Sequence, residues 1–322
     1  MEILDLRHFS SADLRPLLEE EIAMWSNLLA WDYAGSAEMI LRYMEAKILP
    51  GYAAIERGHI FGYSFFVYEQ SKGVIGDLFV TAQVPQSPRT TDRHEVEERL
   101  LTHVIETLQQ SPGIHRVEAQ LLAHETAEVA RPFLAQGFSR HPRVFMNFEM
   151  AKHPVTSPST PPPLPPDFEI RPWHEEHYQS AAALITAAYR GHVDSDINDQ
   201  YRTLTGSLRF LNNIVRFPGC GTFDPHASFV IFQRRTRTLV GLILCSQVRA
   251  DVGHITQVCV LSEYRSAGLG VILLAATTRS LRDRHFRAIS LTVTQANDRA
   301  IALYRRIGFD SVRVFDAFVW EG

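Results

Sequence analysis

The sequence predicts two tandem α/β modules, each a mixed, mostly antiparallel sheet flanked by helices. The 322 residues, 45% hydrophobic and 21% charged, suffice for about two cores of ~100–200 residues. One element order, three strands, helix, strand, helix, strand, can be read twice along the chain. Between the two readings, Pro154 to Pro166 holds seven prolines in thirteen residues, a composition that lacks ladder N–H groups and reads as a semi-rigid linker. The expected division is therefore a module over 1–152, a linker over 153–167 and a module over 168–322.

In the first module, strands are expected over Gly51 to Glu56, Ile60 to Glu69 and Val74 to Thr81. A helix follows around Val96 to Gln110, then a strand over Val117 to Leu122, the segment ETAEVARPFLAQGF, and a strand over Arg143 to Met150. In the second, Ala227 to Gln233 and Leu239 to Val248 are apolar runs joined by the charged stretch 234–238, the pattern of an antiparallel hairpin. His254 to Leu261 is a third strand, leading through SEYRSAGLG into a helix over Val271 to Arg284, where Leu273, Leu274 and Leu281 recur at helical spacing. Ala288 to Thr294 reads as a strand, Arg299 to Ile307 as a helix stopped by Gly308, and Asp310 to Trp320 as the last strand. The endings PFLAQGF and LYRRIGF share an aromatic residue five positions before Phe, with Gly directly before it.

Composition narrows the function classes. A formal charge of -4 supplies no basic field for nucleic acid or anionic lipid. Cys220, Cys245 and Cys259 are odd in number and lack metal-ligand spacing, which argues against a disulfide framework or a cysteine zinc site. The N-terminus lacks the apolar core of a signal peptide, and the longest apolar run, Val271 to Ala276, is too short to cross a bilayer. The expectation is a soluble cytoplasmic protein.

The sharpest local signal is RSAGLG, Arg265 to Gly270, set between a strand and a helix. Unpaired N–H groups at a helix start, glycines that let an anion approach, and a nearby arginine together suit a pyrophosphate. Further on stands NDRAIALYRRIGF, Asn297 to Phe309. Together the two segments resemble the acyl-CoA-binding motif and the following helix of the GNAT superfamily of N-acetyltransferases. The match is clear over about Leu239 to Trp320 and fainter over the first half.

The resemblance implies an acetyl-CoA site, with another short acyl-CoA as an alternative donor. The strand before the glycine loop splays from the next, and main chain at Val258, Cys259 and Val260, above all an N–H near Val260, binds the acyl carbonyl and pantetheine. Arg265, Ser266, Ala267, Gly268, Leu269 and Gly270 hold the pyrophosphate. Asn297, with Ala300, meets the CoA arm. Tyr304 occupies the family's general-acid position, where a phenol of ordinary pKa ~10 can serve a thiolate whose thiol has pKa ~8.5. His254 falls where some members carry a catalytic glutamate, and a water chain is the competing base. Glu263, beside the loop, reads as support for its geometry. The acceptor wall spans about 178–223, with Asp194, Asp196 and Asp199 able to attract an amine and Tyr189 and Phe223 offering apolar contact; the carboxylates equally suit a solvated helix cap.

Aligning Leu100-Leu101 with Leu273-Leu274 places Asp92 at Arg265, Glu95 at Gly268 and Glu97 at Gly270, and matching the endings PFLAQGF and LYRRIGF puts Phe133 in place of Tyr304 and Thr126 in place of Asn297. Carboxylates repel a pyrophosphate and phenylalanine has no proton to give, so the first copy is expected to be degenerate, as in tandem members of the family. HEEH at 174–177 and the His124-Glu125 pair lack a full ligand set. Cys259 reads as a small buried hydrophobe, and Cys220 as part of a turn. The combined reading is direct transfer of acetyl from acetyl-CoA to a primary amine of a small molecule, with no metal, nucleic-acid or membrane partner, in a chain whose internal pair is compatible with a monomer. Alternatives are a protein N-terminal or lysine acetyltransferase and a non-catalytic acyl-CoA-binding module.

Overall fold

The computed structural model describes residues 1–82, 92–153, 162–216 and 221–322. They make two compact units, residues 1–143 with 314–322, and residues 144–313. Among the described residues, no helix is long and apolar enough to cross a membrane.

The first unit runs β1 (Glu2–Asp5), α1 (Ser11–Leu29), α2 (Ala34–Glu45), β2 (Gly51–Glu56), β3 (His59–Glu69), β4 (Lys72–Val80), α3 (Arg93–Gln110), β5 (Arg116–Gln120) and α4 (Ala130–Ala135). Next come β6 (Ser139–Glu149), β7 (Phe168–Pro172), α5 (Tyr178–Ala188), α6 (Asp194–Ile197), α7 (Leu204–Arg216), β8 (Thr222–Phe223), β9 (Phe229–Gln233), β10 (Thr238–Arg249) and β11 (Val252–Val260). The chain ends with α8 (Leu269–Asp283), β12 (Ala288–Thr294), α9 (Asp298–Ile307) and β13 (Asp310–Glu321).

In the first unit the strand order is β1-β2-β3-β4-β5-β13, and in the second it is β6-β12-β11-β10-β9-β7, with β8 beside β10. The pairs β4/β5 and β11/β12 are parallel. Each is bridged by one helix, α3 or α8, the crossover that a parallel pair requires. On one face of the first sheet, α3 buries Leu100, Leu101, Val104 and Leu108; on the other, α1 and α2 bury Leu14, Leu18, Ile40 and Leu41. In the second unit, Ala181, Ala182 and Ile185 of α5 and Leu211 of α7 pack on Leu242, Leu244 and Cys259.

Two contacts fix the register between the copies. A Cβ on Gly62 of β3 would meet Leu100, and one on Gly241 of β10 would meet Leu273; Gly73 stands likewise to Leu108 as Gly253 does to Leu281. These matched glycine and leucine positions support the alignment of Leu100 with Leu273, on which the comparison of the two helix starts depends.

The unit boundaries differ from a division at the proline segment, of which 154–161 lies outside the described residues. The strand expected to close the first copy contributes residues 144–149 to the second unit, and the last nine residues, 314–322, belong to the first. The cause is a ladder of Ala317 to Glu321 antiparallel to Gln120 to Arg116. Phe318 is buried within the first unit's core, its ring stacked 4.1 Å from that of Phe133.

Candidate active site

The site begins where β11 and β12 part. Their parallel register runs from Val252↔Ala288 to Ile255↔Leu291, yet β11 continues to Val260 and β12 to Thr294. Leu261 N–H donates to Val240 O (2.9 Å), so strand alternation turns residues 259 and 261 toward β10 and leaves the main-chain N–H groups of Val258 and Val260 on the edge that β12 has left. That opening is the expected splay.

At the end of β11 the chain forms a turn in which Ser266 has φ 78° and Gly268 φ 76°. Serine in this region costs roughly 1–3 kcal/mol, and the return is a run of N–H groups concentrated at the start of α8. Gly270 lies in the first turn of that helix, where a Cβ would meet only Leu303, at 3.8 Å. Packing therefore does not demand glycine there. Its missing side chain leaves the helix start bare, a cradle fitting a diphosphate. Pro162 flanks the loop, 3.2 Å from a Cβ placed on Gly268. Arg265, expected at the pyrophosphate, donates from Nη2 to Ala188 O (2.8 Å) and from Nε to Val260 O (3.3 Å). It ties the loop to the end of α5 and to the splayed strand, so a positioning role fits it alongside its charge.

Tyr304 of α9 is buried. Burial, then the nearby Asp194 carboxylate and Cys259, push its phenol well above the usual tyrosine range. Asp194 accepts a hydrogen bond from Thr294 Oγ1 at the end of β12. Tyr189, at the end of α5, donates to Gln257 Oε1 (2.8 Å) and stacks on Tyr201 (4.4 Å); burial is also the main cause of its raised phenol pKa. Gln257 Nε2 is buried without a hydrogen-bond partner, a donor that a ligand would satisfy. Cys259, its thiol pushed up to about 12 by burial, is protonated at neutral pH and is no nucleophile.

Asn297 caps α9, its Oδ1 accepting from Ala300 N–H (3.2 Å), and its Nδ2 lies 3.4 Å from His192 Nε2. His192 Nδ1 accepts from the main-chain N–H of Asp194 (3.2 Å) and is 3.5 Å from Asp194 Oδ2. His192 thus links the acceptor-wall carboxylate to the start of α9. Sequence reading missed His192 and Gln257; the signals available were the HxD spacing of His192 with Asp194 and a buried amide next to the apolar run Val258 to Val260.

Other expected site residues lie elsewhere. His254 is buried in the closed part of the sheet, where it pairs in register with Ser290, bonds to Ser290 Oγ (2.9 Å) and stacks on Phe145 (6.2 Å). Phe223 pairs with Ser246 of β10 and packs on Trp173 (5.9 Å). Asp196 lies 4.0 Å from Arg202. None of these contacts involves Tyr304, although Phe223 packs on the cluster that holds Tyr189 and Cys259; Cys220 lies outside the described residues.

Residues 192–309 match the model of the acetyltransferase (GNAT) family. That stretch is similar to a GNAT domain. Over 71 residues the chain is 37% identical to an N-alpha-acetyltransferase of Saccharolobus solfataricus, covering 22% of this chain and 42% of that protein. Over 165 residues it is 30% identical to the mycothiol acetyltransferase of Thermobispora bispora, covering 49% of this chain and 52% of that one. The chain therefore spans about half or less of the curated relatives it matches. Among solved structures, a GCN5-related N-acetyltransferase from Sphaerobacter thermophilus superposes with a TM-score of 0.61 at 16% identity, over 92% of this chain and 91% of the other. A tandem GNAT protein from the clavulanic acid biosynthesis pathway does so at 0.59 and 14% identity, over 99% and 98%. The fold of the whole chain is thus that of tandem GNAT proteins.

Proposed function

We propose that the second unit binds acetyl-CoA and transfers its acetyl group to a primary amine of a small molecule. The observation that carries this reading is the parting of β11 from β12 beside a bare helix start, with a buried phenol in the same cluster as Asp194 and Cys259. The N–H groups at Ser266 to Gly270 would hold the diphosphate, and Val258 and Val260 the arm. Bound there, acetyl-CoA supplies an activated thioester.

Val260 N–H polarises the thioester carbonyl. His192, rather than His254, accepts the proton of the attacking amine, because it bridges Asp194 and Asn297 at the mouth of α9 whereas His254 is enclosed between Ser290 and Phe145. Tyr304, held protonated by its surroundings, donates a hydrogen bond to the departing sulfur. Asp194 attracts the cationic acceptor, and Tyr189 with Tyr201 forms its aromatic wall.

A small acceptor is favoured by the longer match, which is to a mycothiol acetyltransferase; the shorter match, to N-alpha-acetyltransferases, supports a peptide N-terminus as the second reading. The test follows thiol release from acetyl-CoA across a panel of small amines and N-terminal peptides. Turnover with small amines alone supports the first reading and turnover with peptides alone the second. Acetyl-CoA binding without turnover on any acceptor reduces the protein to an acyl-CoA-binding module.

A further inference from the structure

The first unit has, at the start of α3, the register position where the second unit presents Gly270, and there it places Glu97. This carboxylate is almost wholly buried, and other potential ligands surround it. His94 Nδ1 lies 3.2 Å from Glu97 Oε2, and ligand atoms of His94, Glu97 and Glu128 all fall within 4.8 Å of one another. His124 Nδ1 lies 3.9 Å from Glu97 Oε1 and 4.0 Å from Glu128 Oε2. We propose that His94, Glu97, His124 and Glu128 form a transition-metal site, with zinc as the ion that fits.

His124 is the independent observation. It is 3% exposed, and its Nε2 lies 3.0 Å from the carbonyl oxygen of Leu78. A carbonyl can only accept, so Nε2 carries the proton and Nδ1 is left with a bare lone pair. That nitrogen faces two carboxylates too distant for a hydrogen bond but spaced as ligands around one ion. A metal-bound histidine characteristically gives its other N–H to a backbone carbonyl, fixing the tautomer. Tetrahedral zinc with bonds of ~2.0–2.2 Å separates neighbouring ligand atoms by roughly 3.3–3.6 Å, against 3.2, 3.9 and 4.0 Å here, so a bound ion would draw His124 inward. His94, Glu97 and Glu128 supply three ligand atoms within 4.8 Å of one another, and His124 Nδ1, 3.9 Å and 4.0 Å from the two carboxylates, would complete a closed set of the structural type.

Charge agrees. Two neutral imidazoles and two carboxylates balance a divalent ion, whereas without it Glu97 relies on Arg93, whose Nε bonds Oε1 at 2.8 Å from a half-exposed side chain. Arg93 can swing to water as the ion takes its place. The ion would pin the first turn of α3 to the loop between β5 and α4, filling with a cation cluster the corner that the other unit keeps open for an anion.

The test uses the full chain, stripped with chelator and dialysed, then titrated with zinc chloride by calorimetry, with thermal unfolding in parallel. One equivalent of zinc with a raised unfolding midpoint is expected, as are the visible bands of a tetrahedral site when cobalt replaces zinc. His94→Ala removes a half-exposed ring that the fold does not need, and Glu128→Gln keeps shape; each should weaken zinc binding at least tenfold while acetyl-CoA affinity stays unchanged. No stoichiometric uptake by the wild type, or uptake equal in both variants, overturns the proposal.

Discussion

The two units carry one fold and opposite chemistry at corresponding corners. At the helix after the third sheet strand of the second unit, Gly268 and Gly270 leave the first N–H groups open. In the first, Asp92 caps α3 by accepting from His94 N–H (3.3 Å), and Glu97 is buried within the first two turns. Where Tyr304 stands near Asp194, Phe133 stacks on Phe318 in the hydrocarbon core. The pattern is retained even where the chemistry is not. Tyr33 donates to Asp77 Oδ2 (2.5 Å) much as Tyr189 donates to Gln257, and Asp77 and Gln257 hold equivalent strand positions, each three residues before the valine paired with Gly62 or Gly241. On the proposed reading, the difference teaches that such a scaffold can give up its ligand chemistry once the vacated corners are refilled with side chains that satisfy each other.

The comparison can be broken at several points. Tyr304→Phe, which makes the second unit like the first, should lower turnover by ~10²–10⁴-fold with acetyl-CoA affinity intact; steady-state kinetics with calorimetry checks both. Gly270→Glu imports the first unit's carboxylate beside the diphosphate. At an effective dielectric of ~20 that repulsion is about 4 kcal/mol at 4 Å, so acetyl-CoA binding should weaken on the order of 10³-fold. His192→Ala should reduce turnover by ~10²-fold, while His254→Ala should leave turnover close to that of the wild type. Because the Tyr304 phenol is held well above its usual range, the rate should show no alkaline fall from its ionisation through pH 9.

Smaller effects sharpen the account of the first unit. Phe133→Tyr should restore no second activity and should cost ~1–3 kcal/mol, because it buries a hydroxyl among apolar neighbours; denaturant unfolding measures it. Burial, then Asp77, hold the Glu21 carboxyl well above the ordinary range, with Tyr63 and Trp25 donating to it. A raised folded-state pKa means that its contribution is complete below the ordinary carboxylate value and is lost as pH rises through the folded value. Glu21→Gln, an uncharged isostere, should therefore flatten the decline in thermal stability across that window.

Much of the fold was legible because periodicity and punctuation agree with the final packing. Ala288–Thr294 is the strand that the sequence marks, and α8 begins at Leu269, two residues before the expected start. The glycine loop and Tyr304 were legible because their residue types are chemically particular. Less visible was α1, where Pro16 sits inside the helix and masks a start set by Ser10, whose N–H and Oγ both donate to Asp13 Oδ2. Short β1 and β7 carry too few residues to show alternation. Strand membership of the two units was not legible either, since Phe318 suits a core equally well in either copy and only the ladder with β5 assigns it. His192 escaped notice because its role rests on contacts to Asp194 and, across 105 positions, Asn297; His254 drew attention because spacing from the loop says nothing about where the strands part.

The central claim is that only the second unit grips a diphosphate. Calorimetric titration of the full chain with acetyl-CoA tests it most directly. One site per chain, abolished by Gly270→Glu and untouched by Phe133→Tyr, is the expected result. Two equivalent sites, or no heat of binding in the wild type, would contradict it.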